Sequence, residues 1–403
     1  MKYSKQEVMQ FIAEEDVKFI RLAFCDVFGR QKNISVMPEE LSRAFEYGIA
    51  IDASAIPGFG GSVRSELLLH PDSDTLTILP WRPEHGRVVR MLCSITYPDG
   101  TPFERDTRDL LRQAVARADS SGVSFSIGSV QEFYLFNRDD SGRPTRDPHD
   151  QAGYLDISPD DRGENIRREI CLTLEQMGIS PESSHHEEGP GQNEIGFCFS
   201  DPVTAADNAI TFRNIVTTVA DRNGLYADFS PKPLSDSPGN GFHVNISAVS
   251  RDGSDLMGHI IAGILERAED MTAFLNPSEL SYERLGGYKT PKYISWSEEN
   301  RTHLIRVPAA SGKYRRIELR SPDPLANPYL VYTLMIHAAM DGIENRMIPP
   351  EPADINMNET DERTLSGYKK LPQTLSEACS AALASDFINK HIPDAAIKAY
   401  CIR

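Results

Sequence analysis

The sequence predicts an α+β protein of two domains: a small strand-rich one at residues 1–102, and a large one at 103–403 built on a mostly antiparallel sheet flanked by helices. Three observations predict it. The chain has 403 residues, more than one hydrophobic core ordinarily organises. Its first hundred residues carry closely spaced apolar strand patterns that end at the turn Pro98-Asp99-Gly100. Beyond that turn, helical periodicities alternate with strands in which polar and apolar residues change at every step.

Taken in order, residues 4–15 read as a helix, and 17–36 as two strands around a turn at Asp26–Gly29. PEELSRAFEYG (38–48) is helical, while 75–81 and 88–97 are apolar strands. In the larger domain, 108–122 is a helix stopped by glycine, VSFSIGSVQEFYLF (123–136) is a strand, and the Asp-, Arg- and Pro-rich segment 137–152 is a loop. ENIRREICLTLEQMG (164–178) is a periodic helix. Strands follow near 193–199, 226–230, 241–248, 292–297, 302–307 and 315–320, with helices at 203–222, 254–272, 328–343 and 373–386.

A formal net charge of −17 opposes nucleic acid and anionic lipid as partners, but a few arginines and a metal suffice to hold a nucleotide's phosphates. No run of about 18 apolar residues exists to span a membrane, and the polar, amphipathic start does not read as a signal peptide. Six cysteines without a CxxC pair, several in apolar stretches, fit free thiols in a reducing cytoplasm.

Period-two alternation then sorts the charged residues. In FHVNIS, His243, Asn245 and Ser247 oppose Phe242, Val244 and Ile246. In RIELR, Arg316, Glu318 and Arg320 share a face. Glu132 opposes Phe133, and Glu194 opposes Ile195. A sheet packed on helices by its apolar face would line a cleft with these groups. Carboxylates with a histidine suit Mg²⁺ or Mn²⁺, and arginines beside them grip phosphate and carboxylate. Together they describe metal-assisted phosphoryl transfer. Any one such strand is more often a solvated face, Arg316-Glu318-Arg320 is open to a same-strand salt-bridge ladder, and His185-His186-Glu187 to a loop without ligand duty, so periodicity alone does not decide.

Longer strings do. SHHEEGPGQNEIGF (184–197), PKP…GNGFHVNIS (231–247), NPSELSYERL (276–285), NRTHLIRVP (300–308) and RRIELRSPDPLANPYL (315–330) resemble the glutamine synthetase family, as do FCDVFGRQKN (24–33), IDAS (51–54), HPDSDTLTILPW (70–81) and QAGYLD (151–156), all in order. The resemblance, to a divergent type I-like member, implies a β-grasp-like first domain and a catalytic domain with a curved sheet. It implies two stacked hexameric rings with sites between subunits, two divalent metals, and ATP, glutamate and ammonium or an amine as substrates. ATP would phosphorylate the side-chain carboxylate, and the nitrogen would displace the phosphate. Carried over residue by residue, Glu132, Glu187 and Glu194 would hold one metal, and His243 and Glu318 the other. Arg284 and Arg320, with Gln192 and Gly239, would bind the amino acid. Arg301, Arg306 and Arg316, beside Asn245 and Ser247, would hold phosphates, and Asp52 would reach a neighbour's site to deprotonate the amine.

Three positions depart from the family pattern. Val130 stands where an ExE pair would place a ligand of the second metal, which predicts weaker binding of that metal without nucleotide. Lys289, in Gly287-Tyr288-Lys289-Thr290-Pro291, stands where a glutamate takes a proton from ammonium; a charged lysine repels ammonium, and only a desolvated neutral one could accept the proton. Asn245 replaces a histidine beside the nucleotide. The expectation is a γ-glutamyl–amine ligase. The alternatives are glutamine synthetase proper, using ammonium, and a relative that has lost ligation or works without ATP.

Overall fold

The computed structural model describes residues 3–60, 65–82 and 85–402. Packing divides the chain into two compact units, residues up to Leu110 with Gln176–Gly178, and Leu111–Glu175 with Ile179 onward.

The first unit is a six-stranded sheet of β1 (Val17–Cys25), β2 (Gln31–Val36), β3 (Ile49–Asp52), β4 (Glu66–Pro71), β5 (Thr77–Ile78) and β6 (Arg87–Thr96). Its order is β2-β1-β6-β4-β3 with β5 added to β6, and only the central β1–β6 pair is parallel. Ile20, Leu22, Leu67, Leu69, Val89 and Met91 form one buried cluster with Val8 and Ile12 of the helix Lys5–Glu14 and Leu41 and Ala44 of the helix Leu41–Tyr47. The first helix starts where the sequence says it should, because Ser4 and Glu7 form a reciprocal capping box. The strand expected at 75–81 shrinks to Thr77–Ile78: the Asp72 carboxylate accepts from the Asp74 amide and commits Ser73–Thr75 to a 3₁₀ turn.

The second unit carries nine strands: β7 (Val123–Arg138), β8 (Pro144–Pro148), β9 (Pro181–His186), β10 (Gln192–Ser200), β11 (Leu225–Asp228), β12 (Phe242–Ser250), β13 (Trp296–Glu298), β14 (Ile305–Val307) and β15 (Ile317–Leu319). The order is β13-β14-β15-β12-β7-β10-β9, with β8 and β11 also on β7, and every pair except β13–β14 is antiparallel. The α+β class and the mostly antiparallel sheet are thus as expected. The apolar face packs on the helix Pro202–Arg222, where Phe133 of β7, Phe197 of β10, Phe212 of the helix and Phe229 sit with ring centroids 5.7–6.3 Å apart. Gln131, on that same face, accepts a hydrogen bond from Arg213 of the helix (2.9 Å).

Some expectations need correction. Most of the polar segment 137–152 is a hairpin, not a loop, with only 149–152 lying beyond it: Asp139 accepts from the Ser141 and Arg143 amides, Gly142 takes φ 79°, and β8 returns along β7. The helix expected at 254–272 is two helices, Met257–Glu266 and Ala268–Leu275, with Arg267 between them bound to Asp341. No helix among the described residues is long and apolar enough to cross a membrane.

Candidate active site

Cross-strand partners in an antiparallel pair present their side chains to the same face. Here the register places Glu194 opposite both Glu132 and His185, Val130 opposite His243, and Glu318 opposite both Asn245 and Arg306. Six strands therefore gather acids, histidines and arginines that are far apart in sequence onto one patch. Glu187 follows β9 in a tight turn, in which its amide donates to the Gln192 carbonyl (2.8 Å) and the Gly189 amide donates to Gln192 Oε1 (3.0 Å). Only glycine fits at 189, since a Cβ there would lie 2.0 Å from Tyr134 Oη.

The patch floors a cavity of about 260 Å³. Glu132, Glu187, Gln192, Glu194, Gly239, His243, Arg284, Lys289, Arg301 and Arg320 line it, all anticipated from the sequence, together with Tyr154, Glu188, Pro238, Tyr288 and Thr290. Glu318, Arg306, Asn245 and Arg316 join through direct contacts: Arg306 Nε lies 2.5 Å and Arg320 Nη1 3.2 Å from Glu318 Oε2, and Arg316 Nε donates to Asn245 Oδ1 (3.0 Å). Ser247 lies two residues further along β12, opposite Ser126. Asp52 belongs to the first unit, where its exposed carboxylate accepts from the Ser54 amide and hydroxyl.

Glu132 and Glu194 are held above the ordinary carboxylate range, Arg284 and Arg320 offsetting only part of the rise. Burial, then the neighbouring Glu187, pushes Glu132 up to about 7. Burial, then Glu132, Glu187 and Glu318, raises Glu194 well above the carboxylate range. His185 Nε2 stands 3.1 Å from Glu187 Oε1 and 3.7 Å from Glu194 Oε1, and His243 Nε2 is 3.9 Å from Glu132 Oε1. Glu132 Oε2 is held by the Gly241 amide (2.7 Å) and Gln192 Nε2 (3.3 Å). Close oxygen donors that repel one another when ionised are what a hard divalent cation relieves, so this set fits Mg²⁺ or Mn²⁺. Glu318 is the opposite case: burial pushes it up, but Arg320 first, then His243 and Arg306 beside it, bring it down to about 2.

The arginines are fixed by backbone. Buried Arg284 donates to the Ser321 carbonyl (2.7 Å) and the Arg320 carbonyl (3.3 Å), and Arg320 Nε donates to the Arg301 carbonyl (2.9 Å). Gly239 lets Arg284 approach, because a Cβ there would meet Arg284 Cγ at 2.8 Å and the Pro231 carbonyl at 2.3 Å. At the mouth, Lys289 is half-exposed, ion-paired with Glu188, and 5.7 Å from the Tyr154 ring centre. The loop's Tyr288 takes φ 49°, held by its hydroxyl's bond to the Asp236 carbonyl (2.8 Å) and by Lys232 over its ring. Tyr154 precedes a second residue with positive φ, Leu155 (62°).

Sequence reasoning left out a buried network behind Glu187. Asp150 accepts from His186 Nε2 (2.9 Å) and the Gly191 amide (2.9 Å), and His186 Nδ1 donates to the Glu187 carbonyl (2.7 Å). With Asp161 these residues form a second acidic cluster, but Asp161 is already paired with Arg167 and Asp150 with His186, so the cluster is self-neutralised.

The family model for the glutamine synthetase β-grasp domain matches residues 16–98, and that for the catalytic domain matches 104–402. The chain is 42% identical to a glutamine synthetase of Clostridium saccharobutylicum, over 98% of this chain and 92% of that one, and 41% identical to one of Methanosarcina mazei, over 96% and 90%. A solved GmaS–ADP complex superposes with a TM-score of 0.88 at 28% identity, covering 98% of this chain and 94% of that one. On this fold, this cavity and these matches, the chain belongs to the glutamine synthetase family, the ATP-dependent ligases that use Mg²⁺ or Mn²⁺ to form a C–N bond on glutamate.

Proposed function

We propose that this chain joins the γ-carboxylate of glutamate to an amine larger than ammonium. The observation that carries this reading is at the cavity mouth, where the loop 287–291 offers Lys289, which occupies the nearby Glu188 carboxylate, and no carboxylate of its own. A bound ammonium ion needs acceptors for its charge and for the proton it must lose; a lysine in that place repels it.

In this reading Arg284, Arg320, Gln192 and Gly239 hold glutamate, while Arg301, Arg306, Arg316, Asn245 and Ser247 hold the phosphates of ATP and stabilise the charge that develops in transfer. Glu132, Glu187 and Glu194 would hold a divalent cation, which would supply positive charge to offset that of the phosphates. The γ-carboxylate oxygen attacks the terminal phosphorus and the bond to ADP breaks. The neutral amine then forms the C–N bond as the acyl C–O bond breaks, phosphate leaves with the electron pair, and Asp52 of a neighbouring subunit takes the amine's proton. Stacked hexameric rings would bring that residue in, in the cytoplasm, with the domain boundary after residue 102.

Ammonium as the nitrogen donor is a second reading, favoured by the relatives named glutamine synthetase at 41–42% identity. Phosphate release from ATP, with Mg²⁺, glutamate and a panel of amines, separates the two. The expected result is release that saturates with one amine at far lower concentration than with ammonium, and a Lys289→Glu variant shifted toward ammonium. Best saturation by ammonium, with Lys289→Glu unchanged in preference, would sink the proposal.

A further inference from the structure

Two groups of donors face the cavity, and they are not equivalent. Glu132, Glu187 and Glu194 meet with no arginine or lysine within 4 Å: among the described residues the basic side chains that close to them are the histidines 185 and 243. Glu318 has two guanidiniums on one oxygen, Arg306 Nε at 2.5 Å and Arg320 Nη1 at 3.2 Å. Its other oxygen faces His243 Nδ1 at 3.8 Å. The third position around that point belongs to Val130, the cross-strand partner of His243 on the same strand face as Glu132. Valine has no lone pair. A cation there would find one carboxylate, already compensated, and one imidazole, whereas Mg²⁺ takes six ligands, favouring oxygen.

We propose that the nucleotide-free protein binds a single divalent cation, at Glu132, Glu187 and Glu194, and that Arg306 and Arg320 supply at Glu318 the positive charge a second cation would otherwise bring. His243 and Glu318 therefore do not form the second metal site that the sequence resemblance implies. The inference rests on reading the cavity as a metal-assisted site, but not on turnover or on the identity of the amine.

The test is a count of bound Mn²⁺, read from the electron paramagnetic resonance of the free ion during titration of the full chain without nucleotide. Wild type is expected to bind one Mn²⁺ per chain, and Glu132→Gln to lose it. Val130→Glu is expected to bind two, since Gly196 on the neighbouring strand has no side chain to crowd the new carboxylate. The second ion should bind at least about tenfold more tightly in that variant than in wild type. Two equally tight ions in wild type, or none, would overturn the proposal, as would a Val130→Glu protein with native circular dichroism that still binds one. The wild-type count decides the matter if Val130→Glu fails to fold. A protein that binds one Mn²⁺ but releases no phosphate with any amine keeps this inference and loses the ligase reading.

Discussion

Replacing Asp150 by asparagine should damage the site from behind. Asp150 is 5% exposed and His186 is fully buried. The Asp150 carboxylate accepts from His186 Nε2, the Gly191 amide, the Arg162 amide (3.1 Å) and the Ala152 amide (3.4 Å). Both ring nitrogens of His186 face acceptors, which favours the imidazolium, and the second nitrogen fastens the Glu187 carbonyl. Asparagine keeps the shape but not the charge, and turns an NH₂ toward at least one of these four donors. Hydrogen bonds to a charged group contribute about 1.5–3 kcal/mol each, and breaking a buried ion pair costs about 3–5 kcal/mol. Since asparagine retains one accepting oxygen, the expected loss is about 2–4 kcal/mol, read as a fall in the denaturant midpoint. Because the network aims Glu187 and closes the turn to Gln192, Mn²⁺ affinity should fall about 10–100-fold as well, the usual consequence of removing a group that orients a metal ligand. Asp150→Asn with wild-type stability and wild-type Mn²⁺ affinity would refute this reasoning.

Other perturbations test separate parts of the structure. Gly189→Ala should lose about 1–3 kcal/mol through overpacking against Tyr134, and a Tyr134→Phe background, lacking the hydroxyl 2.0 Å from the new Cβ, should restore part of it in a double-mutant cycle. Gly239→Ala should raise the KM for glutamate with little change in the KM for ATP, because the added Cβ pushes on Arg284. The stacked rings of His337 and His391, 3.8 Å apart, should make stability depend on pH. Burial, then His391, Arg117 and Lys390, lowers His337 to about 3; burial, then Lys390, Arg117 and Arg267 against Asp341, lowers His391 to about 4. The unfolded chain therefore binds more protons below about pH 6.5, so their contribution is complete above that pH and lost on acidification. Denaturant midpoints measured from pH 4 to 7 should rise with pH, and less steeply in His337→Phe.

The cleft was legible in sequence because period-two alternation survives wherever a strand has one buried face. FHVNIS, RIELR and NEIGF each declare their polar sides, and the structure turns all three toward one cavity. Register was not legible: nothing local says that Glu318 meets both Asn245 and Arg306, since the partners lie up to 73 residues apart in the chain. Glu188 and Tyr154 escaped notice because turns have no period to reveal their direction. The Asp150–His186 network escaped because a buried ion pair joins two segments that each read as polar and exposed. The hairpin at 137–148 was hidden by the same polarity, its strand β8 being an edge that buries little.

The departures at Val130 and Lys289 are coupled by charge. Four carboxylates (Glu132, Glu187, Glu188, Glu194) and four cations (Arg284, Lys289, Arg301, Arg320) line the cavity, a formal balance of zero with His243 neutral. Glutamates at both 130 and 289 would bring that balance to −3, a deficit that one further divalent cation largely offsets. A cavity with these two residues thus needs one cation fewer to receive the same anionic nucleotide, and neither change is independent of the other. The double variant Val130→Glu/Lys289→Glu should accordingly bind its second Mn²⁺ more tightly than Val130→Glu alone. The margin is on the order of 1 kcal/mol, because Lys289 is half-exposed and solvent screens it. That margin should shrink as ionic strength rises. Equal affinity in the two variants at low salt would show that Lys289 does not share in the charge balance of the site.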